Sequence, residues 1–91
     1  MAKICIVRER DADFIAFRAD RESRADLLVF QTDKESKAIG DKIWYFEENP
    51  RKASSKIAWT DKERDADFKV FFVDRESKAK WQKPNNAQNR L

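Results

Sequence analysis

Six alanines, at positions 12, 25, 38, 53, 66 and 79, are separated by 13, 13, 15, 13 and 13 residues. A period this short, running through nearly all of a 91-residue chain, restricts the fold to one assembled from small equivalent parts. Aligned on the alanines, the chain divides into units 7–19, 20–32, 33–47, 48–60, 61–73 and a truncated 74–82, followed by a polar tail, 83–91. The third unit carries two additional residues, around Gly40, the sole glycine, and Asp41. Residues 20–30 (DRESRADLLVF) are echoed 41 positions later by 61–71 (DKERDADFKVF), so each half holds three units. That offset predicts a three-plus-three, pseudo-twofold arrangement of a single domain.

Each unit reads as a short helical turn followed by a strand. Asp20, Asp33, Asp61 and Asp74 open their units and are expected as N-caps, because a carboxylate oxygen accepts an otherwise unpaired amide N–H. Glutamates 9, 22, 35, 63 and 76 follow in the first turn, where the positive end of a helix favours them. The alanine closes the turn and is small enough to let the backbone press on a neighbour. Leu27–Thr32, Ile43–Phe46, Ile57–Thr60 and Phe68–Val73 are rich in β-branched and aromatic residues and read as strands. Leu27 and Val29 oppose Leu28 and Phe30, so these strands are expected to be covered on both faces.

The expected core is Ile6, Phe14, Phe17, Leu27, Val29, Phe30, Ile43, Trp44, Tyr45, Phe46, Ile57, Trp59, Phe68, Val70, Phe71 and Val73. The expected fold class is a small closed α/β (α+β) domain. A linear solenoid would require longer units and distinct end caps. The fourth unit is the poorest copy, with Asn49 for the base and Pro50 for the glutamate. The two halves are therefore expected to join through an irregular turn across residues 47–52 (EENPRK).

The tandem pattern Asp–base–x–Ser–x–Ala–Asp, followed by aliphatic and aromatic pairs, resembles a bacterial family of about ninety-residue proteins of unknown function. The stretches that carry the resemblance are DRESRADLLVF, DKESKAIG, DKIWYF and DKERDADFKVFFVDRESKA, with Trp81, Arg90 and Leu91 at the end. The match spans almost the whole chain; the fourth unit departs from it. The resemblance implies a small monomeric α/β domain tied in a deep seven-crossing torus knot, the septoil knot. It brings no activity, cofactor or site residues. Near-identical units can exchange partners and interleave the two halves, which would pair segments distant in sequence. Slow folding and slow unfolding are the expected consequences.

The chemistry-bearing residues point away from catalysis. The chain has no histidine, which removes the commonest general base and the usual triads. Cys5, between Ile4 and Ile6, reads as a small buried hydrophobe, and a single cysteine excludes an internal disulfide. Asp11/Asp13 and Asp65/Asp67 bracket alanines and could be imagined as acid–base pairs, but they recur as repeat columns and read as caps and surface ion pairs. No Cys/His cluster, calcium-loop spacing or glycine-rich phosphate cradle is present, so no metal and no cofactor is expected.

The formal charge of +3 invites a nucleic-acid reading. Lys83 and Arg90 lie in the acid-free residues 81–91, however, which leaves the body nearly balanced. The alternative of a weak single-stranded nucleic-acid module would stack a base on Trp81 and set Lys83 and Arg90 against phosphate. It would add a stripe of Arg8, Arg21, Lys34, Lys62 and Arg75, partly neutralised by the neighbouring glutamates. A protein-interaction module built on free strand edges is the other alternative. The apolar run Ile4–Val7 is too short for a signal-peptide core, and no stretch reaches transmembrane length. A cytoplasmic monomer with no membrane partner is the expectation.

Overall fold

The 13-residue period is realised as β-structure and not as an alternation of helices with strands. The computed structural model describes residues 2–83, 85 and 91. Among them lie seven strands: β1 (Ala2–Ile6), β2 (Phe14–Arg18), β3 (Leu27–Thr32), β4 (Ile43–Phe46), β5 (Ser55–Thr60), β6 (Phe68–Val73) and β7 (Lys80–Trp81). The expected helical parts are three-residue 3-10 turns at Glu9–Asp11, Glu22–Arg24, Glu35–Lys37, Glu63–Asp65 and Glu76–Lys78, and no α-helix occurs among the described residues. The α/β class is thereby corrected to a mostly parallel β-barrel.

The reason is local. A helical nucleus gains only when it propagates, and here each turn stops at its alanine. The N–H of Ala12, Ala25, Ala38, Ala66 and Ala79 donates to the carbonyl of the glutamate three residues earlier, at 3.1–3.2 Å. After Ala12, Ala25, Ala66 and Ala79 the chain is extended again. The N-cap assignment fails with the helices. Arg8, Arg21, Lys34, Lys62 and Arg75 occupy the cap positions, and none makes a side-chain capping bond.

Strand order is β4-β1-β5-β2-β6-β3, and pairing of β3 with β4 closes the ring. All ring pairings are parallel. β7 lies antiparallel against the start of β3, at Leu27 and Leu28. Strands β1, β2 and β3 occupy alternate places, and β4, β5 and β6 fill the places between them. The chain thus passes round the ring and then round again through the gaps it left.

Parallel strands normally need a crossover of a dozen or more residues; stagger removes that need here. Ile6, ending β1, and Phe14, opening β2, both pair Ile57 of β5. Arg18 and Leu27 share Val70, Phe46 and Ser55 share Ile4, and Trp59 and Phe68 share Ala16. Whereas β4 lies directly beside β3, strands β2, β3, β5 and β6 therefore each begin level with the end of the predecessor, two strand spacings away. That gap of about 10 Å is well within reach of the short connection crossing outside the intervening strand. The repeat length is set by this geometry: one strand plus one step over a neighbour.

Side chains alternate faces along a strand, so the inward positions fall into layers. Ile4, Ala16, Val29, Trp44, Ile57 and Val70, one from each ring strand, form a fully buried waist. Outside the barrel, Leu28 packs with Ala19 and Ala25 beneath the connections, with Phe71 and Val73 beside them, so both faces of these strands are covered. The alanine column is buried at 25, 38 and 79 and half-buried at 12, 53 and 66. The halves match at an offset of 41. Strands Leu27–Thr32 and Phe68–Val73 correspond residue for residue, as do turns Glu22–Arg24 with Glu63–Asp65 and Glu35–Lys37 with Glu76–Lys78. Between the halves an irregular turn stands in place of a 3-10 turn, with the Arg51 N–H donating to Asn49 Oδ1 at 3.0 Å and the Lys52 N–H to the Asn49 carbonyl at 3.0 Å.

Candidate functional site

The waist leaves two barrel ends, and they differ. One residue pair beyond the waist, at the carboxyl ends of the strands, the inward positions are Ile6, Arg18, Gln31, Phe46, Trp59 and Phe72. Phe46, Trp59 and Phe72 are half-buried and surround the Trp44 indole, with centroids 6.1, 6.4 and 6.0 Å from it. The Arg18 guanidinium carbon lies 4.9 Å from the centre of the Phe72 ring, a cation–π contact. Ile6 is 44% exposed, which removes it from the expected core, because it projects past the last complete layer. A groove of about 410 Å³ runs beside this mouth, lined by Ile4, Cys5, Ile6, Phe46, Glu47 and Glu48. The mouth offers ring faces and one guanidinium, a surface for packing and stacking.

The amino-terminal end is closed. Ala2, Phe14, Leu27, Ser55 and Phe68 form its inward layer, and Trp81 and Leu91 cover it. The Trp81 ring sits 5.7 Å from that of Phe68, and Leu91 is buried within the core cluster. Asp41, only 9% exposed, joins these parts. Its Oδ2 accepts the Trp81 Nε1–H at 3.0 Å, its Oδ1 accepts the Leu91 N–H at 3.2 Å, and its carbonyl accepts the Trp44 Nε1–H at 2.7 Å. Gly40, with φ of +70°, supplies the left-handed turn immediately before it. The two residues that break the 13-residue period are thus the ones that build this junction.

A second recurrent device precedes four of the ring strands. Asp13, Asp26, Asp67 and Ser54 each grip one residue of the neighbouring strand at two points. The Asp13 N–H donates to the Lys56 carbonyl at 2.8 Å while its Oδ2 accepts the Lys56 N–H at 2.9 Å. Asp26 does the same to Lys69 at 2.8 and 3.0 Å, and Asp67 to Ile15 at 2.6 and 2.7 Å. Ser54 grips Lys3 at 2.8 and 2.9 Å. The side chain mimics one further rung of the ladder, which satisfies a strand-end amide that the short partner strand cannot reach.

Interleaved passes round a closed ring are the geometry from which a torus knot is made. Residues 1–82 match the family model of the 7(1) septoil knot domain. The chain belongs to this family. It is a small knotted repeat domain, as the resemblance in its units implied. No curated protein and no solved structure matches it.

Within the septoil knot domain two of the three sequence-proposed site residues lie among the described residues. Trp81 is half-buried, held by Asp41 and tilted 36° against the Phe68 ring. Lys83 is exposed, 3.9 Å from Asp26 Oδ1. Arg90 lies outside the described residues. The carboxylate pairs split by role: Asp13 and Asp67 are the strand clamps just described, while Asp11 and Asp65 end exposed turns. Cys5 is buried on the outer face of β1, its Sγ 3.6 Å from the Glu48 carbonyl.

Sequence reasoning missed the aromatic mouth, the Asp41 junction and the clamp column. The last had a visible signal: an aspartate follows the alanine in units one, two and five, with a serine in unit four. The spacing of Asp41 was also visible, as the extra length of unit three.

Proposed function

We propose that this septoil knot domain is a kinetically persistent, non-catalytic monomer whose property of use is resistance to unfolding. The single observation behind this reading is the interleaving. Each of β1, β2, β5 and β6 lies between two strands of the opposite half, so neither half can open without breaking ladders to the other. Leaving the native state then requires disrupting sequence-distant pairings across the ring before a terminus can withdraw, which raises the unfolding barrier more than the equilibrium free energy. The proposal of no catalysis draws support from how the candidate groups are employed. Asp13, Asp26 and Asp67 hold neighbouring strands, Asp41 holds two donors, and Cys5 packs on the barrel wall.

The experiment is manual-mixing denaturation followed by tryptophan fluorescence, since Trp44, Trp59 and Trp81 report the waist and both ends. Persistence on the order of hours to days in moderate urea is expected. Complete unfolding within minutes overturns the proposal.

A further inference from the structure

We propose that Asp41 is the clasp that gates untying of the knot, and that release of Trp81 and Leu91 from it is the first opening step of the native domain. The two ends of the chain are held very differently. β1 is inserted in the ring, with residues 2–4 paired to β4 on one side and residues 4–6 paired to β5 on the other. Withdrawing it would break two ladders and open the waist at Ile4. β7 is two residues long and pairs only with Leu27 and Leu28. Residues 80 and 81 can therefore leave their short ladder without disturbing the ring pairings.

Among the described residues, Asp41 is the one attachment that holds both Trp81 and Leu91. Asp41 receives the Trp81 indole and the Leu91 amide on its two carboxylate oxygens, in a site almost closed to water. A carboxylate acceptor strengthens each bond, and low local dielectric strengthens it further. Gln82 adds further bonds, its Nε2 donating to the carbonyls of Glu22 and Ala25 at 2.8 Å each and its N–H to the Asp26 carbonyl at 2.7 Å, and Asn85 Nδ2 donates to the Asp67 carbonyl at 2.9 Å. These attachments are not equivalent to the one at Asp41. Gln82 is exposed, whereas loss of the Asp41 oxygens uncouples Trp81 and Leu91 together and uncovers the apolar layer of Leu27 and Phe68. The carbonyl of Asp41 meanwhile keeps Trp44 in the waist, so the clasp can release while the barrel stays closed.

The test is native-state hydrogen exchange on the full chain, resolved by residue, for Asp41→Ala and for Trp81→Phe. The phenylalanine keeps a ring against Phe68 and removes only the donor, so it remains informative if the alanine variant fails to fold. In either variant, amide protection of residues 79–83 and of Leu91 is expected to fall roughly ten- to a hundredfold. Protection of β1, β2 and β5 should stay within about twofold of the parent. A uniform loss across the ring, or unchanged protection at Trp81 and Leu91, overturns the inference. It rests on the interleaved ring behind the proposed function but reads local opening, not global lifetime. A short-lived domain with a segment-specific response would sink the persistence proposal and leave the clasp standing.

Discussion

Asp26→Ala isolates a single strand clamp. Asp26 is partly buried, and its Oδ2 accepts the Lys69 N–H at 3.0 Å at the junction where β3 starts beside β6. Alanine leaves the backbone bond from the residue 26 N–H to the Lys69 carbonyl, 2.8 Å, in place and removes the side-chain acceptor, together with the 3.9 Å ion pair to exposed Lys83, which contributes little. A hydrogen bond to a charged group contributes about 1.5–3 kcal/mol net; with the Asp26 side chain 16% exposed, water recovers part of the loss, so about 1.5 kcal/mol is expected. The clamp joins residues 43 apart in sequence. Such a contact should form after the folding transition state, placing the whole cost on the unfolding rate, about a tenfold acceleration with folding unchanged. Asp26→Asn, which keeps an acceptor of the same shape without the charge, should recover roughly half of the loss.

The assay is a denaturant-jump series read by tryptophan fluorescence, with residue-resolved exchange at the Lys69 amide. A loss below about 0.5 kcal/mol, or a Lys69 amide as protected in the variant as in the parent, refutes the reasoning that this column closes the ladder.

The waist gives the largest expected equilibrium effect. Ile57→Ala removes a fully buried side chain at the centre of the barrel and should cost about 2–5 kcal/mol, read as a shifted denaturation midpoint. Gly40→Ala meets no atom within 4 Å, so its cost should be the left-handed backbone alone, about 1 kcal/mol, with no change in the fluorescence of Trp44 or Trp81. The Lys3 ammonium bonds Glu35 and holds its carboxyl below the ordinary glutamate range. The lowered value means the pair contributes above the unfolded-state pKa, and the contribution is lost as pH falls through the folded-state one. Glu35→Gln should thus flatten the stability profile slightly below about pH 4 and leave neutral pH almost unchanged, because the Glu35 carboxylate is exposed.

The sequence by itself determined the periodic content. Alanine spacing marked every connection, and runs such as IWYF and FKVFFV marked strands whose observed bounds agree: Ile43–Phe46 and Phe68–Val73. The 41-residue offset marked two matching halves, and Asn49–Pro50 marked the irregular joint. These are local or near-local properties, written in side-chain type and turn chemistry. The helix expectation failed because cap-like residues and short turns resemble helix starts. What stops them is the tertiary demand that the chain re-enter a strand level with the end of the last one. Only the tertiary structure decided which strand lies beside which. Near-identical units carry no label for their partner, so the interleaved order comes from ring closure and stagger. It likewise decided the roles of Asp41 and Trp81, whose meeting across 40 residues depends on that closure. A local pattern can specify the parts of a barrel; their order is a property of the closed ring.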